Sequence, residues 1–161
     1  MNVANGDETA GHWHVTFTVG RDTVLKQQLE QLVRSTPARC EVIGWTDRIP
    51  ELLMTHHVVI SKAGGATTQE SIAALCPMLV NQVVPGQEEG NWQLLRIHNA
   101  GALAETPPAI SQALHEIFAH DGARWREMRT ALRRLARPAA ARDIASHVLT
   151  RVDSAESSVI R

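Results

Sequence analysis

The apolar run Val58-Val59-Ile60-Ser61 stops at Lys62-Ala63-Gly64-Gly65, and a helix-forming stretch starts directly behind it. A short apolar run without polar alternation marks a strand buried on both faces, which implies a parallel sheet covered by helices on either side. Parallel neighbours need crossover connections, and the rest of the chain supplies them. His14 to Val19 reads as a strand stopped by Gly20, followed by a helix capped by Asp22 with Leu25, Leu29, Leu32 and Val33 at helical spacing. Cys40 to Ile43 reads as a second strand, and Pro50 opens a short helix through Met54. Behind the glycine pair come a helix from Thr67 to Leu75, a strand from Met78 to Val84, and a helix carrying Trp92, Leu94, Leu95 and Ile97. Gly101 is expected to end that helix, Ala102 to Glu105 to form the last strand, and residues 108–120, 123–136 and 139–152 to form three helices. The expected fold is one α/β domain over residues 12–152, a doubly wound parallel sheet with flanking helices. Residues 1–11 are expected to be a flexible leader or linker remnant, and 153–161 a disordered tail.

At 161 residues the chain fits one domain, and its net charge of -1 gives no global field to attract nucleic acid. Cys40 and Cys76 each sit in an apolar segment, with no paired-cysteine spacing that would suggest a disulfide scaffold or a zinc site. Together with a polar N-terminal stretch lacking signal-peptide features, this makes a reduced, cytoplasmic setting the expectation. No apolar run approaches the ~20 residues that span a bilayer, so any membrane contact is expected to be peripheral. Around residues 123–136, Trp125, Met128, Leu132 and Leu135 share one helix face, and Arg126, Arg129, Arg133 and Arg137 lie on another. That pattern suits docking on anionic lipid, or a core-facing helix with a solvated rim.

Ligands of open α/β sheets sit beyond the carboxyl ends of the strands. Three such ends carry chemistry. At Gly64-Gly65-Ala66-Thr67-Thr68 a strand runs straight into a helix start, where free N–H groups and the helix dipole attract phosphate. The glycines could equally serve only a tight turn, and the stretch is neither a P-loop nor GxGxxG. Glu70 has two readings: Thr67-x-x-Glu70 fits a capping box, and its carboxylate could accept two hydrogen bonds from a ribose diol. The stretch Pro85-Gly86-Gln87-Glu88-Glu89-Gly90-Asn91 concentrates amides and carboxylates that suit sugar hydroxyls and would repel phosphate; a solvated surface loop has the same composition. In Gly44-Trp45-Thr46-Asp47 the indole offers a face for a base, or is a rim aromatic. No Asp-x-Asp occurs, so a metal-borne nucleotide is not supported.

These three loops, in this order, resemble the C-terminal domain of inverting glycosyltransferases of the GT-B fold, family 28 type. The nearest patterns are those of monogalactosyldiacylglycerol synthases and processive diacylglycerol glucosyltransferases; the peptidoglycan UDP-N-acetylglucosamine transferase is more distant. The resemblance runs from Val15 to about Leu149, strongest at Val58 to Gly65, Glu70, Pro77 and Pro85 to Asn91. It implies a Rossmann-like half of a GT-B fold that binds a UDP-sugar without a metal or other cofactor. Trp45 and Thr46 would lie along the uracil, Gly64 to Thr68 would hold the pyrophosphate, Glu70 the ribose, and Gln87, Glu88 and Asn91 the donor sugar. Two departures, His57 where the family carries Asp and Cys76 where it carries a small residue, fall at positions that look structural.

In the family, the acceptor site and usually the base lie on an N-terminal domain that 161 residues cannot also hold. The resemblance therefore implies a donor-binding part of a hexosyltransferase acting on a lipid such as diacylglycerol, inactive alone, with the acceptor domain in cis or as a separate chain. Its full-length enzyme or a partner would place it at the membrane surface. Two alternatives stay open, a non-catalytic nucleotide-sugar-binding module and the donor subunit of a split UDP-N-acetylglucosamine transferase. An epimerase of the same architecture is a further rival, but its typical motifs are not seen in the sequence.

Overall fold

The computed structural model describes residues 13–159, so the proposed leader at 1–11 lies outside the described residues. The elements run β1 (His14–Thr18), α1 (Thr23–Val33), β2 (Arg39–Ile43), α2 (Ile49–Thr55), β3 (Val59–Lys62), α3 (Gly65–Ala74), β4 (Met78–Gln82), α4 (Glu89–Ile97), β5 (Gly101–Leu103), α5 (Pro107–Leu135) and α6 (Ala140–Val159). Every pairing is parallel, as the buried-strand pattern and crossover lengths require. The strands form two sheets, β1-β2 and β3-β4-β5, and the chain divides into two compact units between Ile49 and Pro50. Among the described residues no helix is long and apolar enough to cross a membrane.

In the first unit β1 pairs with β2 in register from His14–Arg39 to Thr18–Ile43. Asp22 caps α1 as expected, its carboxylate accepting from the Leu25 N–H at 2.9 Å. The proposed stripe is only partly inward, because Leu25 and Leu32 are exposed while Leu29 and Val33 are half-buried.

In the second unit the strand covered on both faces is β4, not β3. Met78 and Val80 pack with Ala63, Ile72, Leu95, Ala100 and Leu132, while Leu79 faces the other way into Ile117 and Met128. β4 is central in the order β3-β4-β5, whereas β3 lies at one end and leaves Ile60 44% exposed. An apolar run cannot distinguish these cases, since it records hydrophobicity and not position in the sheet. β3 also carries an irregularity: Ser61 pairs with Val80 but Lys62 with Gln82, so Asn81 is an extra residue on β4. Such bulges re-aim side chains at strand ends, and this one falls where the loops begin.

Gly101 does not end α4. The helix stops at Ile97, and Asn99 takes the left-handed conformation (φ 53°) beyond it. Gly101 instead opens β5, where a Cβ would come within 2.8 Å of the Met78 carbonyl oxygen and 3.3 Å of the Leu95 side chain. The two helices expected at 108–120 and 123–136 form one element, α5, interrupted by non-helical backbone from Ala119 to Gly122. Thr106 caps its start, accepting from the Ala109 N–H, with prolines in the first turn where no donor is missed. In its second half Met128 and Leu132 are fully buried, so this helix faces the core. Arg129 is occupied there, donating to the Leu75 carbonyl at 3.2 Å and lying 4.8 Å from the Trp125 ring. α6 continues past Asp153 to Val159, since Ser154 to Ser158 contains no glycine or proline to stop it.

Gly101→Ala should lower stability by about 1–3 kcal/mol, the usual cost of forcing an extra methyl into a packed site. Thermal unfolding checks this, and an unchanged melting temperature would show that β4 and β5 can move apart.

Candidate donor-binding loops

The carboxyl ends of β3 and β4 lead into the two loops that carry most of the expected site. From β3 the chain passes through Lys62 and Ala63 to Gly64, which is the residue before the first turn of α3 and provides no side-chain cap. Helix starts leave N–H groups without intrahelical partners, and here Gly65, Ala66 and Thr67 form that first turn. The Thr68 N–H is already bonded to the Gly64 carbonyl at 2.9 Å, and its buried hydroxyl lies 3.9 Å from the Met78 sulfur. Thr68, expected among the phosphate groups, is thus packed on the core side of the turn.

Because α3 begins at Gly65, Thr67 lies inside the helix and Thr67-x-x-Glu70 cannot act as a capping box. Glu70 is exposed one turn further on, with no hydrogen bond or ion pair among the described residues. Its carboxylate is free to accept from a ligand.

From β4 the chain turns at Pro85 and Gly86, the latter at φ 75°, and enters α4 at Glu89. Gln87 is exposed on this turn, whereas Glu88 is buried. One Glu88 oxygen pairs with the Lys62 ammonium; the other accepts from the Val84 N–H at 3.0 Å. The Lys62 hydrogen bond, helped by that of Val84, holds the Glu88 carboxyl below its usual range despite the opposing effect of burial. Asn91 adds a second tie, donating from Nδ2 to the Ala63 carbonyl at 2.9 Å. The two loops are thus fastened to each other at Lys62 and Ala63, the adjacent residues that lead into the glycine turn. Of the three residues expected at the donor sugar, Gln87 presents its side chain to solvent, while Glu88 and Asn91 spend polar atoms on the loops themselves.

Lys62 is the residue that sequence reasoning passed over. A lysine beside glycines has no signature of its own. The available signal was an excess of carboxylates in the facing loop, one of which needs a cation if buried.

Trp45 and Thr46 lie in the first unit. The indole is 64% exposed with the Arg21 guanidinium 5.9 Å from its ring centre, and the Thr46 hydroxyl accepts from the Arg48 N–H at 3.1 Å. The two unusual residues near β3 are structural. His57 stacks edge-on against Phe118 and its carbonyl accepts from the Trp125 indole at 2.8 Å. Cys76 is buried with its thiol pushed up to about 12 by desolvation, partly offset by Arg129, so it is inert. His56 and His57 precede β3, at the amino end of the strand and away from these loops.

No family model matches the chain. Among curated proteins it is 29% identical over 135 residues to a processive diacylglycerol beta-glucosyltransferase of Bacillus cereus (strain AH187), covering 84% of this chain and 34% of that protein. It is 28% identical over 107 residues to the protein of the same name from Bacillus subtilis (strain 168), covering 66% and 28%. Among solved structures, the calicheamicin glycosyltransferase CalG4 superposes with a TM-score of 0.53 at 16% identity, over 86% of this chain and 44% of that one. The resemblance read from the motifs is thus found again in whole-chain comparison, and the α/β fold matches part of a glycosyltransferase. The chain spans about a third of the length of the curated relatives it matches.

The depressed Glu88 pKa has a pH consequence of definite sign. A lowered folded-state pKa stabilises at pH above the unfolded value, and that contribution is lost as pH falls through the folded one. Melting temperatures of the native protein should therefore drop more steeply below about pH 4.5 than those of Glu88→Gln. Parallel curves would mean that the carboxylate is not held as a charged partner of Lys62.

Proposed function

We propose that this chain, similar in sequence to diacylglycerol glucosyltransferases, is the UDP-sugar-binding part of an inverting glycosyltransferase that acts on a lipid hydroxyl. The observation that carries the reading is the fastening of the glycine turn to the Gln87–Asn91 turn at the carboxyl ends of parallel β3 and β4. A diphosphate fits the uncapped start of α3, where N–H groups and the helix dipole favour negative charge. The exposed Glu70 carboxylate, one turn along, suits a ribose diol. Gln87 suits a hexose hydroxyl, Asn91 keeps its side-chain oxygen for another, and Glu88 contributes by shaping the turn. Trp45 and Thr46 are assigned to the uracil by the resemblance.

In this reading the sugar leaves UDP with inversion as the lipid hydroxyl attacks. The start of α3 stabilises the charge that builds on the departing diphosphate, a role that needs no metal. The base that deprotonates the acceptor must lie within hydrogen-bond reach of its hydroxyl. The assigned residues all serve the donor, so the base and the acceptor site are placed on a further domain, in cis or on a partner chain. Contact with the membrane surface would come through that domain. The 161-residue chain should bind donor without turnover.

Calorimetric titration tests this directly: UDP should bind in the presence of chelator, with ADP weaker. Equal affinity for the two, or a strict need for a divalent cation, would sink the reading. Glu70→Gln should weaken UDP binding by ~1.5–3 kcal/mol, the worth of a hydrogen bond to a charged group, at an unchanged melting temperature. Gln87→Ala should erase the affinity difference between a UDP-hexose and UDP; weakening UDP alone to the same degree would remove Gln87 from the sugar.

A further inference from the structure

We propose that Lys62 binds the diphosphate, its ammonium held at the glycine turn by Glu88 in readiness for the ligand. The inference rests on the donor-binding reading and adds a residue to it. Lys62 is the last residue of β3, and the register irregularity between β3 and β4 falls between Ser61 and Lys62. Its Nζ lies 3.5 Å from where a Cβ on Gly64 would stand, and the Glu88 carboxylate oxygen lies 3.7 Å from the same point. The pair therefore sits against the backbone that opens α3, where an anion would also meet the first-turn N–H groups.

The two partners differ sharply in access. The Lys62 side chain is 55% exposed and that of Glu88 only 5%. A ligand arriving from solvent therefore meets the ammonium and not the carboxylate. An ammonium carries three donors; one serves Glu88, leaving two for phosphate oxygens. Glu88 is fixed in turn by the Val84 N–H, so it acts as a positioning residue that limits where a flexible lysine can reach. Holding the cation in place before the ligand arrives reduces the ordering cost of binding.

Binding of UDP, UMP and uridine to the whole chain, with and without added salt, separates these roles. Lys62→Gln should weaken UDP binding roughly 10- to 100-fold, as expected for loss of a charge-assisted hydrogen bond, and leave uridine unchanged. The dependence of UDP affinity on salt should also flatten, because an ionic contact has gone. Lys62→Arg should recover part of the loss. If Lys62→Gln is unstable because it strands a buried carboxylate, the double variant Lys62→Gln/Glu88→Gln removes both charges and should show the same loss of UDP affinity. Unchanged UDP affinity and salt dependence in a folded variant would overturn the proposal while leaving the donor-binding reading intact. Failure of the native chain to bind UDP at all would overturn both.

Discussion

A carboxylate taken out of water must find a partner, and in this chain that need joins the two loops of the candidate site. Glu88 is 4% exposed and cannot remain charged there without compensation. Lys62 comes from the end of one strand and the Val84 N–H from the end of the next, so satisfying one carboxylate fixes the spacing of both turns. Asn91 adds a tie at the very next residue by donating to the carbonyl of buried Ala63. Removing Lys62 would strand the buried Glu88 carboxylate, whereas removing Glu88 leaves the lysine charge in solvent. The loops are therefore coupled, and a change in one is felt in the other.

This coupling depends on β4 being rigid. Met78, Leu79 and Val80 are wholly buried, and helices cover both of their faces. The Ser71 hydroxyl of α3 donates to the Cys76 carbonyl just before the same strand, and the Arg129 guanidinium of α5 holds the end of α3 through the Leu75 carbonyl. Close-packed interiors transmit displacement with little loss. The start of α3 and the turn after β4 are consequently presented on one rigid frame, which is what a site for a multi-part ligand needs.

Much of this was legible before any coordinates. The alternation of strands and helices, the Asp22 cap, the break near residue 120 and the loop positions all follow from local chemistry that a sequence displays directly. The losses share one cause. That β4 rather than β3 is covered on both faces depends on strand order, which apolar runs do not encode. Gly101 looked like a helix stop because glycine has that use, but its role is a close approach to Met78, a contact 23 residues away in sequence. The burial of Thr68 and Glu88 likewise depends on packing, which the functional group of a residue does not reveal. Glu70 moved the other way. Its capping reading fell once α3 was found to begin at Gly65.

In the proposed reading, the Lys62–Glu88 pair also bears on selectivity for a donor. A carboxylate at the sugar end of a nucleotide-sugar site is a hazard, because the neighbouring diphosphate is an anion and the two repel. Pairing Glu88 with Lys62 relieves that conflict: the charge is answered locally, and the exposed side of the pair is the cation. Glu70 lies exposed about one helical turn beyond the start of α3, and in the proposed reading it serves the ribose rather than the diphosphate. The polarity of the site thus changes from donor N–H groups and an ammonium at the glycine turn to acceptors further along the helix. A ligand that is anionic in the middle and rich in hydroxyls at both sides matches that sequence of charges, and a simple nucleotide matches only part of it.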